Sequence, residues 1–378
     1  MRILIICGAG YVSGKEKIML SLLKGFSNDG HEVYCMTSSW GNGQFENMLV
    51  SEKINFSKIR LGFISKTFNW SAFKMTLGQA VYWPKLIYDY KKIVSRFKPD
   101  VVIHSNFHHL FLLYPAVRSK KAVHIYHSHE SIYNTKFYRR LFTLFQKKIK
   151  FFIGVSGYVT NKMINLGIDS SKAKAIQNGV EIIKWIPRPF NQDETFNIGI
   201  AGQVGGWKGH EDLVLAISIL KNKIKHVKFK LNIFGEGRPE YTNELKNIIA
   251  ENNLEEFVEW KGFVKDISNI YAGLNVVCIP TRTEEPFATS ALEAGLFALP
   301  VIVTNKGGFP EIVQHGYSGF IVNANAPEEI ADCLAVLIND PGKAMQMGLN
   351  HQRVVTEKFS YQHFINNWEN TLLQLTAG

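Results

Sequence analysis

Acidic residues are scarce in the first half of this 378-residue chain. Residues 1–190 hold 10 Asp+Glu against 28 Lys+Arg, a balance of +18, whereas residues 191–378 hold 22 against 15, a balance of −7. A basic half of this kind faces a polyanion, either nucleic acid or an anionic membrane, unless its charges are simply solvated. No nucleic-acid recognition motif accompanies it. Cysteine is scarce too: Cys7, Cys35, Cys278 and Cys333 stand far apart without a CxxC pair. That argues against a zinc site or a disulfide framework and for a reducing cytoplasm. No apolar run approaches the roughly 20 residues of a membrane-spanning helix. The opening run of MRILIICGAGYVSG is too short for a signal peptide. Low-complexity tracts are absent as well.

What is present is globular: 46% hydrophobic and 20% charged residues, in a length suited to two domains of about 150–200 residues each. The two halves open alike. RILIIC (2–7) reads as an apolar strand, GAGYVSG as its turn, and Glu16 to Phe26 as a helix with Ile18, Leu22 and Leu23 on one face. FNIGIA (196–201), GQVGGWKG and EDLVLAISIL repeat that order. Further apolar strands alternate with helical stretches: HEVYCMTSS, DVVIHSN, KAVHIYHSH and FFIGVS, then KFKLNIFGEG, NVVCIPT and PVIVTN. Such alternation predicts an α/β chain of two doubly wound parallel sheets. Ligands would bind beyond the carboxyl ends of the strands, in a cleft between the domains. IPRPFNQDE (186–194) reads as the linker, which places an N-terminal domain at 1–187 and a C-terminal domain at 195–358. In 359–378, Phe364, Trp368 and Leu372 form one apolar helical stripe, and this helix is expected to cross back to the first domain.

Gly8, Gly10 and Gly14 form a glycine loop after the first strand. The second strand ends Thr37-Ser38-Ser39, without the acid that a dinucleotide ribose requires, so NAD is discounted. In GQVGGWKGHEDL, Lys208 stands just before a helix start. The macrodipole disfavours a cation there unless an anion such as phosphate is bound. TRTEEPFATSALEAGLFALP (281–300) offers Pro286 for the first turn of a helix and small residues Ala288, Thr289 and Ser290 around free N–H groups suited to a diphosphate. Glu284 reads as solvated and Glu285 as projecting from the turn. Glu293 lies among apolar neighbours and needs hydrogen-bond donors, which ribose hydroxyls or a salt bridge would supply.

EPFATSALE (285–293) resembles the E-x7-E signature of retaining glycosyltransferases of family 4, which have the two-domain GT-B fold. VSGYV (155–159), QNGVE (177–181), GQVGGWKGHEDL, IFGEG (233–237) and VIVTNKGGFPEIVQHGYSGFIV (301–322) resemble the family's successive blocks in order, and the likeness covers nearly the whole chain. The resemblance implies that Glu293 binds the donor ribose, Glu285 contacts the donor sugar and Lys208 neutralises the diphosphate. It places Gly14, Gln203, Phe287, Ala288, Thr289 and Ser290 at the donor. A histidine after the fourth strand of the first domain would face the sugar: His127, with His129 the competing choice and His124 structural. Gly10, Ser13 and His129 are implied acceptor or sugar contacts. Gln203 departs from the arginine that family members often carry, and Ala288 from a common glycine.

The implied reaction moves a sugar from a nucleotide-sugar, UDP- or GDP-linked, to a saccharide or lipid-linked acceptor, in cell-surface polysaccharide or glycolipid assembly. It would proceed with retention, by same-face substitution and without a protein nucleophile. No metal or other cofactor is expected, and no DxD-type carboxylate pair stands in a suitable loop. The aromatic and basic segments 66–98 and 136–152 suit an anionic membrane surface, with the enzyme peripheral on the cytoplasmic face. Two other readings remain. One is a nucleotide-sugar epimerase, which needs acid/base carboxylates not evident in the first half. The other is a nucleotide-sugar-binding protein without transfer.

Overall fold

The computed structural model describes all residues except 9–11, 13, 63–69, 119–120, 188–193 and 377–378, and the backbone alone for 70–76. The first sheet contains β1 (Arg2–Ile6), β2 (Glu32–Ser38), β3 (Asn55–Ile59), β4 (Val101–His104), β5 (Val123–Ser128), β6 (Phe151–Gly154) and β7 (Ala173–Ala175). Their order is β3-β2-β1-β4-β5-β6-β7, with every pairing parallel. The second sheet contains β8 (Phe196–Ala201), β9 (Phe229–Phe234), β10 (Val258–Gly262), β11 (Val276–Ile279), β12 (Val301–Thr304) and β13 (Gly319–Val322). Its order, β10-β9-β8-β11-β12-β13, is also wholly parallel. Both sheets carry the doubly wound, Rossmann-like order, in which the chain winds outward from a central strand first one way and then the other.

The strands' apolar composition follows from this architecture. Ile3, Leu4, Ile5 and Ile6 of β1 are wholly buried, as are Val276, Val277 and Cys278 of β11, because helices cover both faces of each sheet. Helix Gly14–Asn28 buries Ile18, Leu22 and Leu23, and helix His210–Lys223 buries Leu213, Val214, Ile217 and Leu220, at the helical spacing that the sequence shows. The strands passed over in the sequence are β3, β7, β10 and β13, and all four are sheet edges. NFSKI, AKA and VEWKG carry polar residues and are only partly covered, so they lack the continuous apolar run of a central strand.

The chain divides into one unit of 1–178 with 362–378 and a second of 179–361. The expected boundaries shift accordingly. Residues 179–187 join the second unit: Val180 N–H donates to Phe359 O at 2.9 Å, and the Trp185 ring lies 4.9 Å from that of Phe297. Phe359 stays there too, packed against Phe287 at 5.8 Å. Helix Tyr361–Thr376 packs on the first unit, where Phe364, Trp368 and Leu372 are buried. Trp368 meets Phe26 at 6.2 Å, and both oxygens of Glu369 lie 3.0 Å from His31 Nε2. The basic segment 136–152 holds a helix and the start of a strand. Its helix spans Lys136–Phe145, and β6 begins at Phe151.

Candidate active site

In the second unit the switch of strand order falls between β8 and β11. The loops that follow these two strands therefore rise beside each other, the position where open α/β sheets hold ligands. The β8 loop carries Lys208 on a short turn, Gly206–Lys208. It is fastened to the β11 loop through Trp207 O, which accepts from Thr281 Oγ1 at 2.8 Å and from Arg282 N–H at 2.9 Å. Gly209 sits at φ +73°, and a Cβ there would lie 1.9 Å from Pro280 O, so no other residue allows the approach.

The result is a bond between two residues separated by 77 positions: Lys208 Nζ donates to Glu285 Oε2 at 2.7 Å. Both side chains remain about a quarter exposed, at 26% and 23%. Glu285 is held from behind. Gly308 N–H donates to Glu285 O at 2.8 Å, and Gly307, at φ +64°, presses so close that a Cβ would come within 1.9 Å of that oxygen. Arg282 fixes the same loop with a bidentate bond to the buried Asp212, Nε to Oδ2 at 2.8 Å and Nη2 to Oδ1 at 2.6 Å, and reaches Glu211 Oε2 at 2.9 Å. Arg282, Asp212 and Gly307 were missed in the sequence. The acidic pair after GH and the glycine doublet in NKGGFPE were the only signals.

The helix after Glu285 starts later than expected, at Thr289, with Ala288 as an N-cap that forms no side-chain bond. Pro286 thus precedes the helix. No side-chain cap occupies the first N–H groups of this helix, as an anion site requires. The side chains of Phe287 and Ala288 are buried, so these two residues offer only backbone to a donor. Thr289 and Ser290 are half-buried, while Glu284 and Gln203 are exposed. Glu293 finds the donor its burial demanded in a residue not singled out beforehand: Tyr271 O–H donates to Glu293 Oε2 at 2.9 Å. Burial and the adjacent Glu293 charge push the Tyr271 phenol well above its usual range, so it stays a donor. The bond engages one of the two carboxylate oxygens.

In the first unit, Gly14 is the exposed first residue of helix Gly14–Asn28, with open space around it. Gly10 and Ser13 lie outside the described residues. The two candidate histidines differ in exposure. His127 is wholly buried, its ring 4.9 Å from Trp368, and burial pushes it down to about 3. His129 follows the end of β5 and is only half-buried, with Nε2 3.1 Å from His127 Nδ1. Burial, then His127 and Lys15, hold His129 well below the usual imidazole range. His124 is buried and its Nδ1 lies 3.1 Å from Nε2 of the buried His104. Lys15 Nζ lies 3.2 Å from Glu16 Oε1, and Glu130 accepts from Asn106 Nδ2 at 3.1 Å. Burial raises the Glu130 carboxyl, Lys15 opposes that shift and Glu16 adds to it. Lys15 thus carries one carboxylate at 3.2 Å, Glu16, and feels the charge of a second, Glu130.

Two family models cover these halves in turn. Residues 12–183 match Glycosyltransferase Family 4, and residues 182–354 match Glycosyl transferases group 1. The chain belongs to this glycosyltransferase family. Among curated relatives, a capsular polysaccharide biosynthesis glycosyltransferase, CapM of Staphylococcus aureus, is 29% identical over 229 residues, 58% of each chain. A D-inositol 3-phosphate glycosyltransferase of Pseudarthrobacter chlorophenolicus is 28% identical over 158 residues, 41% of this chain and 37% of the relative. The chain spans about half the length of the curated relatives it matches. The solved structure of Anabaena HepE in complex with UDP matches with a TM-score of 0.84 at 21% identity, over 99% of this chain and 100% of that one. The fold is GT-B.

Two expectations follow. Replacing Arg282 with Ala strands Asp212 as a buried, unpaired charge and should destabilise the second unit by about 3 kcal/mol, whereas Lys208→Ala should cost no more than about 1 kcal/mol. Urea unfolding of the two variants checks the contrast, and equal losses would refute it. Burial also holds His124, His210 and His351 down to about 4 and His127 to about 3, against an ordinary value of 6.5. The unfolded chain then binds more protons than the folded one below about 6.5, so stability falls as pH drops from there towards about 4. Melting temperatures across that window check it, and a flat profile would count against it.

Proposed function

We propose that the protein transfers a hexosyl group from a nucleoside-diphosphate sugar to a saccharide or lipid-linked acceptor, with retention at the anomeric carbon. The observation that carries this reading is the Lys208–Glu285 bond, 2.7 Å long, beside the uncapped start of helix Thr289–Leu296 and with Glu293 deeper in the same helix. An ion pair this exposed contributes little to stability, roughly 0–1 kcal/mol. It suits exchange: the donor's diphosphate takes over Lys208, and the freed Glu285 carboxylate accepts from hydroxyls of the donor sugar. Helix N–H groups at Thr289 and Ser290 face the same phosphates, and the free oxygen of Glu293 accepts from the ribose.

No protein nucleophile is required. The bond from the anomeric carbon to the diphosphate oxygen breaks as the acceptor oxygen bonds to that carbon on the same face. The departing phosphate oxygen takes the acceptor's proton. Lys208 and the helix N–H groups stabilise the charge that develops on the leaving group. His129, neutral and partly exposed, would exchange a hydrogen bond with a sugar hydroxyl in this reading. UDP is the favoured nucleotide, because HepE, of the same fold, was solved with it. The likeness to CapM, a capsular polysaccharide biosynthesis glycosyltransferase, supports a place in cell-surface polysaccharide assembly.

No helix of the described residues is long and apolar enough to cross a membrane. Helix Lys136–Phe145 nevertheless exposes Phe137 and Leu144 between Lys136, Arg139 and Arg140, and Tyr133 just before it is 77% exposed. This mixture suits a peripheral seat on an anionic cytoplasmic leaflet.

Glu285→Gln should lower kcat/KM for transfer by about a hundredfold or more while UDP still raises the melting temperature. Undiminished turnover would refute the role of Glu285. Parent enzyme that binds nucleotide-sugars but transfers none would favour the binding-only reading that Gln203 raises. In flotation, phosphatidylglycerol vesicles should carry the protein better than phosphatidylcholine vesicles, and Phe137→Ser with Leu144→Ser should weaken that. Equal partition into both lipids would sink the membrane reading.

A further inference from the structure

The first sheet has a second edge of interest, opposite to the one that carries Gly14 and His129. The parallel strands β1, β4 and β5 begin there, at Arg2, Val101 and Val123. A cavity of about 530 Å³ opens at these strand starts. Its size falls within the range of roughly 300–1,000 Å³ typical of small-molecule pockets. Five cations line it, Arg2, Lys91, Lys98, Arg118 and Lys121, against the single carboxylate of Asp100.

That carboxylate is already engaged. Asp100 Oδ2 accepts from Arg2 N–H at 2.7 Å, and Oδ1 lies 3.7 Å from the Arg2 guanidinium. Lys91, Lys98, Arg118 and Lys121 are exposed at the rim, and none forms an ion pair among the described residues. The floor is apolar and neutral, built from the buried Tyr90, from Val94 and Ala116, and from the buried ring of His124. Helix chemistry explains Lys98, which follows the C-terminus of helix Trp70–Phe97 at φ +50° and meets a favourable dipole there. It does not explain Arg118 and Lys121, which come from the segment leading into β5. Four unpaired like charges line one small cavity, and like charges repel with a screening length of about 8 Å. A bound anion would remove that cost.

We propose that this cavity binds a phosphoanion, separately from the nucleotide-sugar site. Arg118 suits a two-pronged bond to phosphate, the lysines act as point charges, and the apolar floor accepts the carbon skeleton attached to it. The phosphate could belong to a soluble phosphorylated metabolite or to a phospholipid headgroup, since the chemistry recognised is the same.

The test uses the full chain carrying Lys208→Ala, so that the donor-side cation does not report. Inorganic pyrophosphate is titrated calorimetrically, and phosphatidylglycerol vesicles are compared with phosphatidylcholine vesicles by sedimentation. Adding Arg118→Gln with Lys121→Gln should weaken pyrophosphate binding by at least about tenfold, equivalent to about 1.4 kcal/mol, if the ligand is soluble. The same pair should reduce phosphatidylglycerol sedimentation if the ligand is a headgroup. Arg118→Lys with Lys121→Arg keeps the charge and should retain binding, and circular dichroism confirms that each variant folds. If neither probe binds, or if the neutral pair binds both as its parent does, the proposal is overturned. UDP binding to the chain with an intact Lys208 should be unchanged by the neutral pair, so failure here leaves the transferase reading untouched.

Discussion

The candidate site depends on the bidentate bond between Arg282 and Asp212. Lys208 and Glu285 meet at 2.7 Å, but a partly exposed ion pair is worth too little to hold two loops together. The nearly buried Asp212 and the two Trp207 carbonyl bonds supply the force, because groups withdrawn from water lose much more when left unpaired. Gly209 and Gly307 then remove the steric objections on either side. The strong interaction lies beneath the site and the weak one lies in it. That division leaves Lys208 and Glu285 available for exchange with a ligand.

The two glutamates of the E-x7-E spacing live in different settings. Glu285 is matched by a cation that a diphosphate would compete for. Glu293 is matched by a neutral phenol, Tyr271, which burial keeps protonated and which no anion would displace. A carboxylate held by a neutral donor keeps its charge and one free oxygen, which suits a hydroxyl-bearing ligand. The same logic separates the histidines of the first unit. Trp368 seals His127 into the interior, while His129, one residue beyond β5, keeps an exposed edge.

Charge is unevenly placed as well as uneven in amount. In the second unit Asp212 and Glu211 pair with Arg282, and Glu285 pairs with Lys208. In the first unit the carboxylates of Glu16 and Glu130 gather around Lys15, near the ends of β1, β4 and β5. The surplus cations collect elsewhere, along helices Trp70–Phe97 and Lys136–Phe145 and around the cavity at the strand starts. The basic half thus presents its charge away from the polar cluster at the strand ends.

The sequence by itself determined the architecture: apolar runs alternating with helical stripes, glycine loops after the first strand of each half, and a C-terminal helix whose Phe364, Trp368 and Leu372 are all buried. It also marked Lys208, Glu285 and Glu293, because each was a charge at odds with its local setting. Edge strands such as NFSKI and VEWKG escaped notice, since a half-covered strand carries no continuous apolar signal. Only the tertiary structure decided the partners. Tyr271 lies 22 residues from Glu293 and Asp212 lies 70 from Arg282, and no local periodicity reports such distances. It buried His127 and left His129 partly exposed, because the helix that covers His127 comes from the far end of the chain. It moved the boundary ahead of the proline-rich segment because Val180 and Trp185 already bond to the second unit. Hydrophobic patterning is a local property and can be read along the chain, whereas the pairing of polar groups depends on which loops the sheet order brings together.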